Sequence, residues 1–419
     1  MAACAALPFF ANTAPDAALE EDNQAAPTSH TATVVTDLST RGASLAAVNT
    51  AQPEAPTSTP RPTATAAAPI SSTLPISDFT RIGPKNFPDH INPLTGLPVP
   101  NPALLDRRVI AAKIPNYPHS VRPQSGISLA DQIYEYYLEW GLTRFLAIFY
   151  GNDAARFGPI RSARLFDDNI VRMYNAIFVF NGADKRVLDY YEERELDPRY
   201  FVVERLCPPL CRDETIPSYN NLFGNTAQVH EYVAALGAPD DRRDLSGNFF
   251  SSLSGLNAPA GTDIYINYSY ANYAFWRYHE GSGLYMRYQG NVDNIDGLSA
   301  AYELHMDALT GQPLSAANVI VLMVPHDFYL KSSDTEIFSI DLTGSGAAYV
   351  FRDNQAFEAR WLRFAERKPL AILDTDGRPF PLKPGVTFFQ VMSTTTEVSQ
   401  LDEQTWEFNF ARPPLPDEE

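Results

Sequence analysis

Arg161 and Arg164 stand in the segment Gly158-Pro159-Ile160-Arg161-Ser162-Ala163-Arg164, directly after a strongly apolar run. Proline suits the first position of a helix. Ile160, Ala163, Phe166, Ile170 and Met173 recur at helical spacing, so the pattern predicts a helix opened by Pro159. The first turn of a helix exposes unpaired N–H groups and the positive end of the dipole, where acidic side chains are the stabilising choice. Two arginines there break that rule, and such breaks concentrate at functional sites. The chemistry they suggest is recognition of a phosphate, carboxylate or sulfate, which guanidinium forks and free N–H groups both satisfy.

Arg122 and Arg144 are candidates to reach the same anion, with Asn181 and Asn221 as neutral donors. A structural reading competes. Arg164, Asp168 and Arg172 are spaced four apart and can pair along one helix face without a ligand. Arg122 and Arg144 can pair with Glu135 or Glu139 on neighbouring strands. Arg161 has no such local partner.

The sequence contains no nucleophile elbow, Walker loop, dinucleotide glycine fingerprint or zincin helix, so neither a cofactor nor a standard catalytic site is expected. The seven histidines are scattered. His119 adjoins the Arg122 motif, and Gly344-Ser345-Gly346 reads as a hairpin turn. Cys207 and Cys211 are close enough for a small disulfide ring, with free buried thiols as the alternative. The pair offers too few ligands for zinc, and no metal is expected. Were turnover to need a metal, Asp131, Asp167 or Asp184 would supply carboxylates.

The elements that must position these groups begin with strands at 108–114, 132–139, 141–150 and 176–180, and a second helix at 184–193. A right-handed crossover from the strand at 141–150 to that at 176–180 predicts a parallel pair. Arg161, Arg164, Asn181 and Asp184 would then gather at its carboxyl edge, where open α/β sheets collect ligands. From about residue 258 short aromatic strands separated by turns take over, including 263–268, 274–278, 318–324, 347–352 and 387–392. The expected fold class is α+β. Residues 84–256 form an N-terminal α/β domain with a mixed sheet and flanking helices, 257–412 a mainly β domain, and 413–419 a loose acidic tail.

Residues 1–83 are different in kind. Met1-Ala2-Ala3-Cys4-Ala5-Ala6-Leu7 is similar to the end of a bacterial lipoprotein signal, which implies a lipidated Cys4 and a precursor that begins upstream, with a chance cysteine in an alanine-rich terminus as the alternative. The stretch after Cys4 is rich in Ala, Thr, Pro and Ser and has Phe9 and Phe10 as its aromatics before about Ser77, a composition that reads as a disordered stalk. No run approaches the roughly 18–20 apolar residues of a membrane span, so membrane association is expected only through the lipid. A net charge of -18 and a pI near 4.8 argue against nucleic acid or an anionic lipid surface as partner.

Arg122 through Gly126, Ala130-Asp131, Tyr134-Glu135, Gly141 through Phe145, Gly158 through Arg164, Arg212-Asp213 and Asn221-Leu222-Phe223 together resemble the YerB-like bacterial lipoproteins, a family of unknown function with paired N- and C-terminal domains. Thr310-Gly311-Gln312, Asn318 through Val321, Gly344 through Gly346 and Trp361 extend the resemblance, which runs from Asn92 to about Met392. Trp140-Gly141 replaces a frequent Gly-Gly, and Tyr219-Asn220-Asn221 replaces a frequent Pro-His-Asn, which removes a shared histidine base. The resemblance implies a lipid-anchored envelope protein and no established activity. The expected function is binding of an anionic small molecule, a cell-wall glycopolymer or a protein partner. The alternative is an enzyme on phosphate-linked wall polymers, similar to the LytR-type transferases.

Overall fold

The computed structural model describes residues 81–203, 207–297 and 300–413. Cys4, the stalk through residue 80 and the tail from 414 lie outside them. In the first half, apolar runs form strands β1 (Ile110–Pro115), β2 (Gln132–Tyr137), β3 (Thr143–Phe149) and β4 (Ile177–Phe180). Three short strands come next, β5 (Phe201–Val203), β6 (Leu210–Arg212) and β7 (Leu222–Gly224). The helices are α1 (Asp167–Tyr174), α2 (Lys185–Glu193) and α3 (Thr226–Ala235). Asp184 and Asn225 cap α2 and α3 with side-chain oxygens, as N-cap residues do.

The fold is α+β. Ten strands make the main sheet, in the order Ala371–Leu373, Gln355–Arg363, Gly344–Arg352, Asn318–Val324, Thr387–Ser393, β2, β3, β1, β4, β5. Residues 84–256 and 257–412 thus contribute to one sheet, joined where β2 pairs in parallel with Thr387–Ser393. A second sheet holds Tyr302–Leu304, Leu284–Gly290, Tyr273–His279, Asp263–Asn267, Thr405–Asn409 and Glu397–Gln400, with Ser315–Ala316 beside Leu284–Gly290.

Successive side chains on a strand face opposite ways, and β2 uses this to serve two cores. Tyr134 and Tyr136 meet α1 and its entry, through Tyr174 and Phe166. Glu135 faces the second sheet and pairs there with Arg287. In the adjacent strand Phe389 stacks on Tyr134, while Phe388 packs against Trp276 of the second sheet. The main sheet is therefore covered by helix on one face and by strands on the other.

Three expectations change. Residues 159–164 form no helix, and α1 starts at Asp167. The N–H groups of Ile160, Arg161 and Ala163 bond instead to the carbonyls of Leu222, Lys113 and Gly182, so the segment is threaded among strands. The first turn of α1 carries Asp167 and Asp168, the acids its dipole favours. Next, β3 and β4 are not neighbours. β1 lies between them, antiparallel to β3 and parallel to β4, so the crossover is not a simple parallel one. Finally, Gly344-Ser345-Gly346 opens the strand Gly344–Arg352 rather than a turn. Gly346 is needed because a Cβ there would lie 2.5 Å from the indole nitrogen of Trp361.

Candidate functional site

The end of β1, the start of β3 and the end of β4 lie together, because Pro115 is opposite Arg144 and β4 runs parallel to β1. Into this corner the 159–164 segment is tied by Arg161 N–H to the Lys113 carbonyl, and Asn181 N–H returns a bond to the Arg161 carbonyl. Arg144, Arg161, Arg164 and Asn181 do converge, by a route different from the expected helix start.

Lys113 is fully buried and lies 2.9 Å from Asp167, whose Oδ1 also accepts from the Tyr136 hydroxyl at 2.5 Å. Burial pulls Lys113 down to about 7, against the upward pull of Asp167. Arg164 grips Glu139 with two N–H groups and donates its backbone N–H to Asp167 at 2.8 Å. Burial pushes the Glu139 carboxyl up, but Arg164, with Arg144 and Lys113, outweighs it and holds the group below its ordinary value. Arg164 therefore pairs with Glu139 rather than Asp168, which binds Arg172 at 2.7 Å. Arg144 donates to the Ser162 carbonyl, and its burial together with Arg164 lowers its pKa well below normal.

Arg161 is the exception. It makes no ion pair among the described residues, its guanidinium sits 4.6 Å from the centre of the exposed Tyr219 ring, and its buried Nε has no acceptor. Burial lowers its pKa, with Arg164 adding to the effect. Four cationic side chains, Lys113, Arg144, Arg161 and Arg164, are thus held near two carboxylates, Glu139 and Asp167.

Two expected members are elsewhere. Arg122 bonds to the Asn116 carbonyl and side chain and to the Gly290 carbonyl, and so ties the two halves together. Asn221 accepts from Arg212 at 2.5 Å, bridging β6 and β7. Cys207 and Cys211 are disulfide-bonded, with Cα atoms 4.8 Å apart, and Cys211 lies on β6. His119 lies 3.2 Å from Asp293. Asp131 accepts from Asn92 and from the N–H groups of Tyr150 and Gly151, Asp167 belongs to the Lys113 cluster, and Asp184 caps α2. These three carboxylates serve separate elements, and among the described residues no group of three or more His, Cys, Asp or Glu gathers as a metal site would.

Lys113, Tyr136 and Tyr219 were not among the expected site residues. Lys113 carried a signal, a lysine inside the apolar run Ile110-Ala111-Ala112-Lys113-Ile114. Tyr219 carried none.

Fold and site together define an α+β protein whose two halves share a sheet and whose N-terminal half carries a cation-rich corner. Residues 94–239 match the N-terminal domain, and 264–389 the C-terminal domain, of a family of proteins of unknown function, DUF3048. The chain belongs to this YerB-like family. It is 25% identical over 311 residues to YerB of Bacillus subtilis (strain 168), a proposed lipoprotein, a match spanning 72% of this chain and 85% of the relative. The crystal structure of the Bacillus subtilis YerB protein aligns with a TM-score of 0.59 at 22% identity, covering 72% of this chain and 96% of that one, and so shares its fold.

Proposed function

We propose that this is an extracytoplasmic envelope protein, held to the membrane by lipid on Cys4, that binds an anionic or glycan ligand, free or displayed on a partner, at the Arg161 corner. The observation that carries the binding reading is Arg161 itself. A guanidinium with a buried donor left unsatisfied is costly, and it stands where cationic groups already outnumber carboxylates. A phosphate or carboxylate would supply the missing acceptor and offset the excess charge. Asn220, next to Tyr219 and 5% exposed, has a side-chain oxygen with no partner, which suits a ligand bearing hydroxyls as well as charge. The anchor reading rests on the Ala-Ala-Cys opening and on similarity to a proposed lipoprotein.

The test is thermal unfolding of wild type and Arg161→Ala with phosphate, sulfate and a glycan phosphate. The expected result is a ligand-dependent rise for wild type that Arg161→Ala abolishes, with the unliganded variant as stable as wild type or slightly more so, since repulsion from Arg144 and Arg164 is relieved. A variant that melts several degrees lower, together with no shift of wild type by any anion, would make Arg161 a structural residue and sink the site. For the anchor, Cys4→Ser in the full precursor should release the protein from the membrane fraction, and unchanged fractionation would refute it.

A further inference from the structure

A separate cavity opens at the other edge of the main sheet. Its volume is about 330 Å³, within the range of small-molecule pockets, roughly 300–1,000 Å³. It is bounded by Arg108 just before β1, the end of α1 at Arg172 to Ala176, the 195–201 segment, Pro239, Arg243 and Arg367. β1 separates it from the Arg161 corner, for Arg108 precedes that strand and the corner lies at its far end.

Five of its lining residues are arginines, Arg108, Arg172, Arg199, Arg243 and Arg367, against the carboxylates Glu195 and Asp197. Three are committed. Arg199 is bound to Asp197, and Arg172 to Asp168 and the Arg194 carbonyl. Arg108, 5% exposed, bonds the Pro239 and Asn175 carbonyls and stacks 3.8 Å from the centre of the Tyr200 ring. Two are not used up. Arg243 reaches Asp241 through Nη2, while its buried Nε has no acceptor. Arg367 makes no hydrogen bond or ion pair with the described residues, and neither does the Glu195 carboxylate.

We propose that this cavity binds a small phosphorylated polyol, such as a sugar or glycerol phosphate, at a site distinct from the Arg161 corner. Guanidinium forks match phosphate oxygens in pairs; Arg243 has an N–H without an acceptor, the exposed Arg367 guanidinium has no partner among the described residues, and Arg108 fixes the Pro239 and Asn175 walls between them. A bare polyanion would meet the repulsion of Glu195. A hydroxyl-bearing ligand turns that carboxylate into an acceptor. The ligand class therefore needs both parts, an anionic group for the arginines and hydroxyl donors for Glu195.

The experiment is calorimetric titration of the folded protein with glycerol 3-phosphate and glucose 6-phosphate, and with inorganic phosphate, glycerol and glucose as partial ligands. Wild type should bind one of the polyol phosphates about tenfold tighter than either of its parts. Arg243→Ala combined with Arg367→Ala should weaken that binding about tenfold while the melting temperature holds. The same titrations in Arg161→Ala, which removes the anion site of the other corner from the reading, should keep the preference for the polyol phosphate over inorganic phosphate. Absence of polyol phosphate binding, equal binding of inorganic phosphate, or affinity retained in the double variant each overturns the assignment. Loss in Arg161→Ala alone overturns it too, by moving the ligand to the other corner.

Discussion

Arg287→Met is the sharpest test of how the two halves are held. Arg287 is completely buried, and its Nη2 lies 2.9 Å from Oε2 of Glu135, itself 2% exposed. Its Nη1 donates to Gln289 at 3.0 Å and to Nδ1 of His305 at 2.9 Å. His305 passes the chain on from Nε2–H to Gln124 at 2.8 Å, and burial, with Arg287 and Arg122, holds it neutral with a pKa well below 6.5. Methionine fills much of the same volume but leaves Glu135 as a buried charge. Removing one partner of a buried pair costs about 3–5 kcal/mol. Glu135 keeps its bonds from Asn116 and Thr143, each 2.9 Å, so the expected loss is near the low end, about 3 kcal/mol. At roughly 2 °C per kcal/mol the melting midpoint should fall by about 6 °C, and denaturant titration should give the same loss. Combining Arg287→Met with Glu135→Gln removes the stranded charge and should restore at least half of that loss. A single variant that costs less than about 1 kcal/mol, or a double variant whose losses add, would refute the picture of a charge pair that joins the halves.

His326 donates from Nδ1 to the Val324 carbonyl at 2.8 Å, and burial holds its pKa at about 4. As pH falls below 6.5 the unfolded chain takes the proton first, so stability is lost between pH 6.5 and about 4 at up to about 1.4 kcal/mol per pH unit. Asp131, raised to about 6 by burial, works the other way over most of that window, from about pH 6 down to about 4. His326→Gln should flatten the acid limb of a stability profile, and an unaltered slope would contradict the assignment. The Cys207–Cys211 ring is small, so reduction should cost less than the roughly 3 kcal/mol of a 15-residue loop. Two alkylatable thiols in protein isolated from the envelope would show that the bridge is not formed there.

Much of the strand inventory was legible because buried strands announce themselves as unbroken apolar runs. Asn318–Val324 coincides with its expected range, and β1, β3 and β4 begin or end within two residues of theirs. The capped helix at 185–193 was legible for the same local reason. The stretch from Pro159 was misread because Ile160, Ala163 and Phe166 are buried at helical spacing without being helical. Their burial comes from strands distant in sequence, which no local period encodes. The same holds for strand order. Nothing in residues 110–180 states that β1 lies between β3 and β4, and this displaced the argument for the arginine pair while leaving Arg161, Arg144 and Asn181 near one another. Gly290 for Arg122, Glu139 for Arg164 and Glu135 for Arg287 lie 168, 25 and 152 residues away, and these distant partners were invisible to spacing arguments.

The parallel pairing of β2 with Thr387–Ser393 has a consequence for how the chain comes into being. β2 leaves the ribosome long before its partner strand exists. At roughly 5–20 residues per second the delay is on the order of tens of seconds. Throughout it, β2 is an unsatisfied border strand rich in tyrosine, open to any extended segment that arrives first. The closing stretch of described residues, from Thr387 onward, thus acts as a clasp. A nascent chain stopped short of it has a sheet with an open seam down its middle and no native way to seal it.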